Sequence, residues 1–177
     1  MIILPQVVAW ARDYYGCPTM DGVPLEEDGG SGTASSHWEK FIAASEVMGP
    51  VEFPGATLSG LTLSLLESTG FYYIDWTKEE TWDWGYKAGC AFINGDCNAH
   101  PRKCDQASSS KICSPDFTSK GSCVGGQHNS GCNYFESVPS DDCRYLHNKL
   151  DGDFEELKVL DPNGRCIPGV LGDAVTI

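Results

Sequence analysis

His37 and Met48 are the residues of this 177-residue chain whose types and spacing could do chemistry. A neutral imidazole is the usual nitrogen donor to zinc, at about 2.0–2.1 Å. His37 is approached through a glycine-rich run, Asp28-Gly29-Gly30-Ser31-Gly32, and then Thr33, Ala34, Ser35 and Ser36. Backbone built from such small residues can come close to a metal without side-chain obstruction. Met48 follows eleven residues later and directly precedes Gly49-Pro50, a pair that forces a turn. On its own a methionine is a filler of core gaps, so its interest lies in this combination. One imidazole does not hold zinc, because structural sites take four protein ligands and catalytic sites three plus water. The histidines are His37, His100, His128 and His147, no two of them stand four apart, and there is no HExxH helix motif to supply two ligands and a general base. In isolation a histidine is more often a surface or hydrogen-bonded structural residue, and as a zinc ligand His37 would need partners from elsewhere. Nothing in the sequence positions Glu39 or Glu46 as acid–base groups, and both are assigned to solvent or to salt bridges with Lys40. His100, His128 and His147 are read as structural or exposed.

Composition narrows the setting. Twelve Lys and Arg against 25 Asp and Glu leave a net charge of −13, a field that repels phosphate backbones and anionic membrane surfaces alike. Nucleic acid is excluded as a partner on that ground. The nine cysteines include no CxxC pair, which argues against zinc ribbons and thioredoxin-like redox chemistry. Cys17 stands alone, while Cys90, Cys97, Cys104, Cys113, Cys123, Cys132 and Cys143 recur every seven to eleven residues and Cys166 follows. Such spacing among Gly, Ser, Asn and Pro reads as a disulfide framework, which persists in oxidising compartments. An extracellular, cell-surface or endomembrane-lumenal location is expected. The opening residues do not form a secretory signal, since Pro5 interrupts a short apolar run with no basic residue before it. No run approaches the roughly 20 apolar residues that span a bilayer, so membrane association would come only through segments outside this sequence. An export signal is expected upstream of Met1.

The elements that must hold His37 and Met48 are mostly helical. Residues 5–15 read as a helix, with Pro5 in the first turn, Val7, Trp10, Ala11 and Tyr14 at i, i+3, i+4 and i+7, and Gly16 to end it. Residues 17–36 read as a loop whose Glu26-Glu27-Asp28 cluster forms a solvated rim. A second helix is expected over 57–69, capped by Thr57 or Ser59, with Leu58, Leu61, Leu65 and Leu66 in one apolar stripe and Gly70 at its end. The aromatic segment from Phe71 to Gly85 is expected to pack under a disulfide-rich layer. Beyond Cys90 the hydrophobic periodicity disappears and cystines must substitute for a large core. This gives an α+β chain, mainly helix and loop, divided near residue 90.

Four stretches carry a family resemblance: LPQVVAWARDYYGCPTMDGVPLEEDGGSGTASSHWEK, EVMGP, GLTLSLLESTGFYYIDW and WGYKAGCAFINGDC. In their order and spacing, residues 1–97 resemble the middle of the leishmanolysin-type zinc metalloendopeptidases, a metzincin family. The cysteine-rich remainder, 98–177, resembles that family's C-terminal region in general character only. The resemblance implies that His37 is the third zinc ligand, that Met48 is the methionine of the turn beneath the metal, and that Cys17 pairs with Cys90. It implies a domain layout of 1–90 as the C-terminal part of the catalytic domain and 91–177 as the cysteine-rich region. It also implies one Zn2+ in the complete enzyme and protein or peptide substrates. The HExxH helix, with two histidines and the catalytic glutamate, is absent from these residues and is expected in a missing N-terminal half.

Two readings of different classes follow. The first is part of a zinc endopeptidase, hydrolysing peptide bonds through zinc-activated water and inactive alone. The second is a non-catalytic, disulfide-stapled extracellular binding module, supported by the absence of any base, nucleophile or second ligand. An in-frame HExxH ahead of Met1 would decide for the first.

Overall fold

The computed structural model describes residues 1–52, 55–99, 103–104, 114–115, 119–125, 131–142, 157–160 and 166–168. His100, His128 and His147, and with them their reading as structural or exposed, lie outside the described residues. The chain divides into two compact units, one of Met1–Lys103 with Gly126–Cys132, the other of Cys104–Gly125 with Asn133–Ile177. The architecture is small and mixed, helices in the first unit and short antiparallel strands in the second.

In the first unit, α1 (Pro5–Tyr15) has proline in its first turn and ends at Gly16 in the left-handed region, φ 68°. It buries Val7, Val8, Ala11 and Tyr15 and packs against α3 (Gly60–Ser68). Ser59 caps α3, its hydroxyl accepting the backbone N–H of Leu61. The expected single stripe of leucines is corrected here. Gly60, Leu61, Thr62, Leu63 and Ser64 are all buried, whereas Leu58, Leu65 and Leu66 are half-buried. The N-terminal half of α3 is enclosed on every side, so polar Thr62 and Ser64 stay inside by hydrogen bonding. Thr62 accepts the Trp38 indole N–H at 2.9 Å, and Ser64 donates to the Leu61 carbonyl at 2.8 Å.

Between these helices lies α2 (Lys40–Ala43), one turn long. So short a helix leaves most of its backbone groups without internal partners. Aromatic donors take up its carbonyls: Trp84 Nε1 donates to Phe41 O at 2.9 Å and the Tyr15 hydroxyl to Ile42 O at 2.8 Å. Trp82 Nε1 donates to Ser45 Oγ at 3.3 Å. Phe92, on α4 (Gly89–Ile93), stacks on Phe41 with ring centroids 5.0 Å apart. The disulfide Cys17–Cys90 joins the end of α1 to the start of α4, and Cys97–Cys132 closes a second loop of this unit. Two 3₁₀ turns, Trp76–Lys78 and Cys97–Ala99, complete its regular structure among the described residues.

The aromatic segment splits, contrary to the expectation of uniform burial. Trp82 and Trp84 are core residues, and their partners are α1, α2 and Ser45 rather than a cystine layer. Phe71, Tyr72 and Tyr73 instead project outward, 87%, 58% and 107% exposed, after α3 has ended.

In the second unit, β1 (Ser119–Val124) pairs antiparallel with β2 (Tyr134–Asp142), placing Cys123 opposite Phe135 and Val124 opposite Tyr134. Cys104–Cys123 ties β1 back to the chain before it. A second antiparallel pair is formed by β3 (Leu157–Leu160) and β4 (Cys166–Pro168). No helix among the described residues is long and apolar enough to cross a membrane.

Candidate metal centre

The chain reaches His37 through a turn built from residues 31–36. Ser36 Oγ lies within hydrogen-bonding distance of the carbonyls of Gly32 (3.1 Å) and Thr33 (3.0 Å), folding the small-residue run back on itself. His37 is half-buried, with Nδ1 3.1 Å from the Thr33 carbonyl oxygen and 3.0 Å from Ser36 Oγ. A carbonyl oxygen only accepts, so the tautomer that uses the Thr33 contact carries its proton on Nδ1 and its lone pair on Nε2, whereas the Ser36 hydroxyl can serve either tautomer. An imidazole oriented through one nitrogen by a backbone carbonyl is the usual support for a metal-ligating histidine.

Two backbone hydrogen bonds fix the segment itself. Glu26 N–H donates to His37 O at 3.0 Å, and Trp38 N–H donates to Met48 O at 2.8 Å. The second of these holds the residue after His37 against Met48, so the two candidate positions are neighbours in space despite the α2 turn between them. The Met48 turn is closed by Gly49 N–H donating to Glu46 O at 2.9 Å. Gly49 is required there by proximity. A Cβ would sit 3.0, 3.2 and 3.3 Å from the carbonyl oxygens of Glu46, Ala43 and Ala44, none of which can swing away as a side chain could. The turn is anchored on its far side by Thr57 N–H to Ser45 O (2.7 Å) and Val47 N–H to Thr57 O (3.0 Å).

Three buried carboxylates frame this arrangement, and the expectation of solvated acids is overturned for all of them. Glu26, read as part of a solvated rim, is 1% exposed, and Glu39 and Glu46, read as solvent-facing or paired with Lys40, are 7% and 1% exposed. Each accepts the backbone N–H two residues ahead of it: Glu26 from Asp28 at 2.9 Å, Glu39 from Phe41 at 3.4 Å, Glu46 from Met48 at 2.7 Å. Glu26 also accepts Lys40 N–H at 3.2 Å, so Glu26 and Glu39 together take up orphan donors at the start of α2. Glu46 further accepts both the backbone N–H (3.2 Å) and the hydroxyl (2.8 Å) of Ser59. Burial, reinforced chiefly by the neighbouring charge of Glu26, pushes the Glu39 carboxyl up to about 7. Burial also raises the Glu46 carboxyl, against the opposing pull of its hydrogen bonds. The sequence carried no usable signal for these roles, since Glu is not among the residues that commonly cap the next turn of their own backbone.

Among the described residues there is no cluster of three His, Cys, Asp or Glu side chains able to hold a metal ion. Glu26, Glu39 and Glu46 each accept a backbone N–H, and Glu46 also accepts the Ser59 hydroxyl. Cys17 and Cys90 are joined to each other and are not available as ligands.

The chain is 44% identical over 93 residues to a leishmanolysin homolog of Crithidia fasciculata, covering 52% of this chain and 14% of that protein. It is 41% identical over 90 residues to the leishmanolysin of Leishmania chagasi (51% of this chain, 15% of that protein). Against a leishmanolysin-like peptidase of Drosophila pseudoobscura pseudoobscura it is 37% identical over 97 residues (55% and 14%). These matches thus span a small part of the length of the curated relatives. The sequence profile of the leishmanolysin peptidases matches residues 1–139, and the chain belongs to the leishmanolysin family.

Proposed function

We propose that these residues form the part of a zinc metalloendopeptidase that carries the third zinc ligand and the methionine turn, and that they are inactive alone. His37 would hold the metal through Nε2, with Met48 in the turn packed beneath it. The two remaining ligands and the general base would come from an HExxH helix outside the 177 residues. Residues 1–90 would then be the C-terminal part of a metzincin catalytic domain and 91–177 its cysteine-rich region. Zinc bound in such a site supplies Lewis-acid activation of water for attack on a peptide carbonyl. The contribution of this chain is orientation. Thr33 O orients the imidazole, Glu26 and Trp38 fix the backbone on either side of it, and Glu46 holds the turn.

The observation that supports the reading is the Nδ1 contact with Thr33 O, since the tautomer that makes it has its lone pair on the opposite ring nitrogen. Membership of a peptidase family supports peptide bonds as the target, and the disulfides support an oxidising, extracytosolic setting.

The test is zinc stoichiometry by equilibrium dialysis. The 177-residue polypeptide is expected to bind zinc weakly and without stoichiometry, and to leave casein uncleaved. In a chain extended to include HExxH, one tightly held zinc and peptidase activity are expected, both lost in His37→Ala. Tight one-to-one zinc in the short polypeptide, or an active His37→Ala enzyme, would overturn the assignment.

A further inference from the structure

Outside the metal centre, the first unit contains a cleft of about 530 Å³ between α1 and the segment from Glu79 to Tyr86. Its walls are aromatic. Tyr14 lies stacked between Trp10 (centroids 4.6 Å, planes 11° apart) and Trp82 (5.1 Å, 16°), and Tyr86 meets it edge-on at 5.3 Å. The Tyr14 hydroxyl is already used, donating to Trp82 O at 2.8 Å, which locks the stack. Its rim is acidic, with Glu79, Glu80 and Asp83 lining it and no Lys or Arg among its described lining residues. Glu80 is partly engaged, accepting Leu58 N–H at 2.8 Å. Lys87 is turned to Asp13, with Nζ 3.2 Å from its carboxylate, and lies 5.5 Å from the Tyr86 ring centroid. Burial first, and then Asp83, Tyr86 and Glu79, hold the phenol of Tyr14 well above its usual range.

We propose that this cleft binds an arginine side chain presented by a polypeptide partner. Aromatic faces attract cations through their quadrupole, and carboxylates within the same cleft add charge complementarity. A guanidinium stacks on indole or phenol while its planar fork reaches carboxylate oxygens. Its methylene stem can lie along the half-buried indole of Trp10. A purely apolar occupant would strip water from three carboxylates with nothing in return. The proposal does not depend on zinc or on the reading of His37.

The experiment follows the indole N–H resonances of the full 177-residue chain by NMR during titration with Nα-acetyl-arginine amide. The neutral isostere Nα-acetyl-citrulline amide serves as the control. Saturable shifts of the Trp10 resonance are expected, with arginine bound at least fivefold tighter than citrulline. Glu79→Gln with Asp83→Asn is expected to weaken arginine binding roughly tenfold, and Tyr86→Ala to weaken it several-fold. Glu79, Asp83 and Tyr86 are exposed, so these variants are expected to keep the parent's melting curve, which circular dichroism checks. Equal affinity for citrulline, absence of saturable shifts, or unchanged affinity in folded Glu79→Gln/Asp83→Asn would each overturn the proposal.

Discussion

The carboxylate of Glu46 accepts the backbone N–H of Met48 at 2.7 Å while its other oxygen takes both the N–H and the hydroxyl of Ser59. A single buried side chain therefore joins the Met48 turn to the N-cap of α3. Replacing it by Ala would strand the donors of Met48 and Ser59, each costing on the order of 1–3 kcal/mol when unpaired, although the carboxylate's own desolvation is relieved. Glu46→Ala is expected to lower unfolding stability by about 2–4 kcal/mol in urea denaturation. A loss below about 0.5 kcal/mol would show that water or a rearranged turn satisfies those donors.

Glu39 makes folding pH-dependent. Its carboxyl titrates near 7 in the folded chain against a model-compound value of 4.5, with burial as the main cause and Glu26, Glu27 and Asp28 adding repulsion. A raised folded pKa means that the native state binds the proton more tightly, so this contribution is complete below about 4.5 and is lost as pH rises through about 7. The melting temperature is expected to fall between pH 5 and pH 8. Glu39→Gln should flatten that slope while keeping an acceptor for Phe41 N–H. Glu46, also raised, acts with the same sign and leaves a residual slope. An undiminished slope in Glu39→Gln would assign the effect to other groups.

Gly49→Ala tests the tightness of the methionine turn. The added methyl would press against the carbonyls of Glu46, Ala43 and Ala44, all backbone atoms. A destabilisation of about 1–3 kcal/mol is expected, the range for overpacking a closed site. Urea denaturation of the variant beside the parent measures it, and an unchanged midpoint would mean that the turn opens without cost.

The bond between Cys17 and Cys90 closes a loop with a sequence separation of 73. By the chain-entropy relation, a loop of that size contributes about 4 kcal/mol. Cys17→Ser with Cys90→Ser is expected to lose most of it, read as a lower melting temperature without reductant. Peptide mapping under non-reducing conditions should recover the two cysteines in one linked fragment, and recovery with other partners would refute the pairing.

Much of this arrangement was legible in the residues. Pro5 and Gly16 bracket α1 because proline suits the first turn and glycine accepts a left-handed end, and Ser59 caps α3 because its hydroxyl reaches the next turn. These are contacts within a few residues, which local chemistry dictates. The family was legible too, in four stretches between residues 4 and 97 whose order and spacing resemble the leishmanolysin-type peptidases.

What tertiary structure alone decided is where the charges and the aromatics went. Glu26, Glu39 and Glu46 carry no mark distinguishing them from surface acids, yet each is buried on the backbone N–H two residues ahead, joined by Lys40 N–H at Glu26 and by Ser59 at Glu46. Phe71 to Tyr73 and Trp82 to Trp84 are equally apolar in sequence, yet the first group faces outward and the second fills the core. That difference depends on which side of the chain α1 and α2 happen to occupy. A hydrophobic residue records only a preference for burial, and the partner that grants it lies far away along the chain.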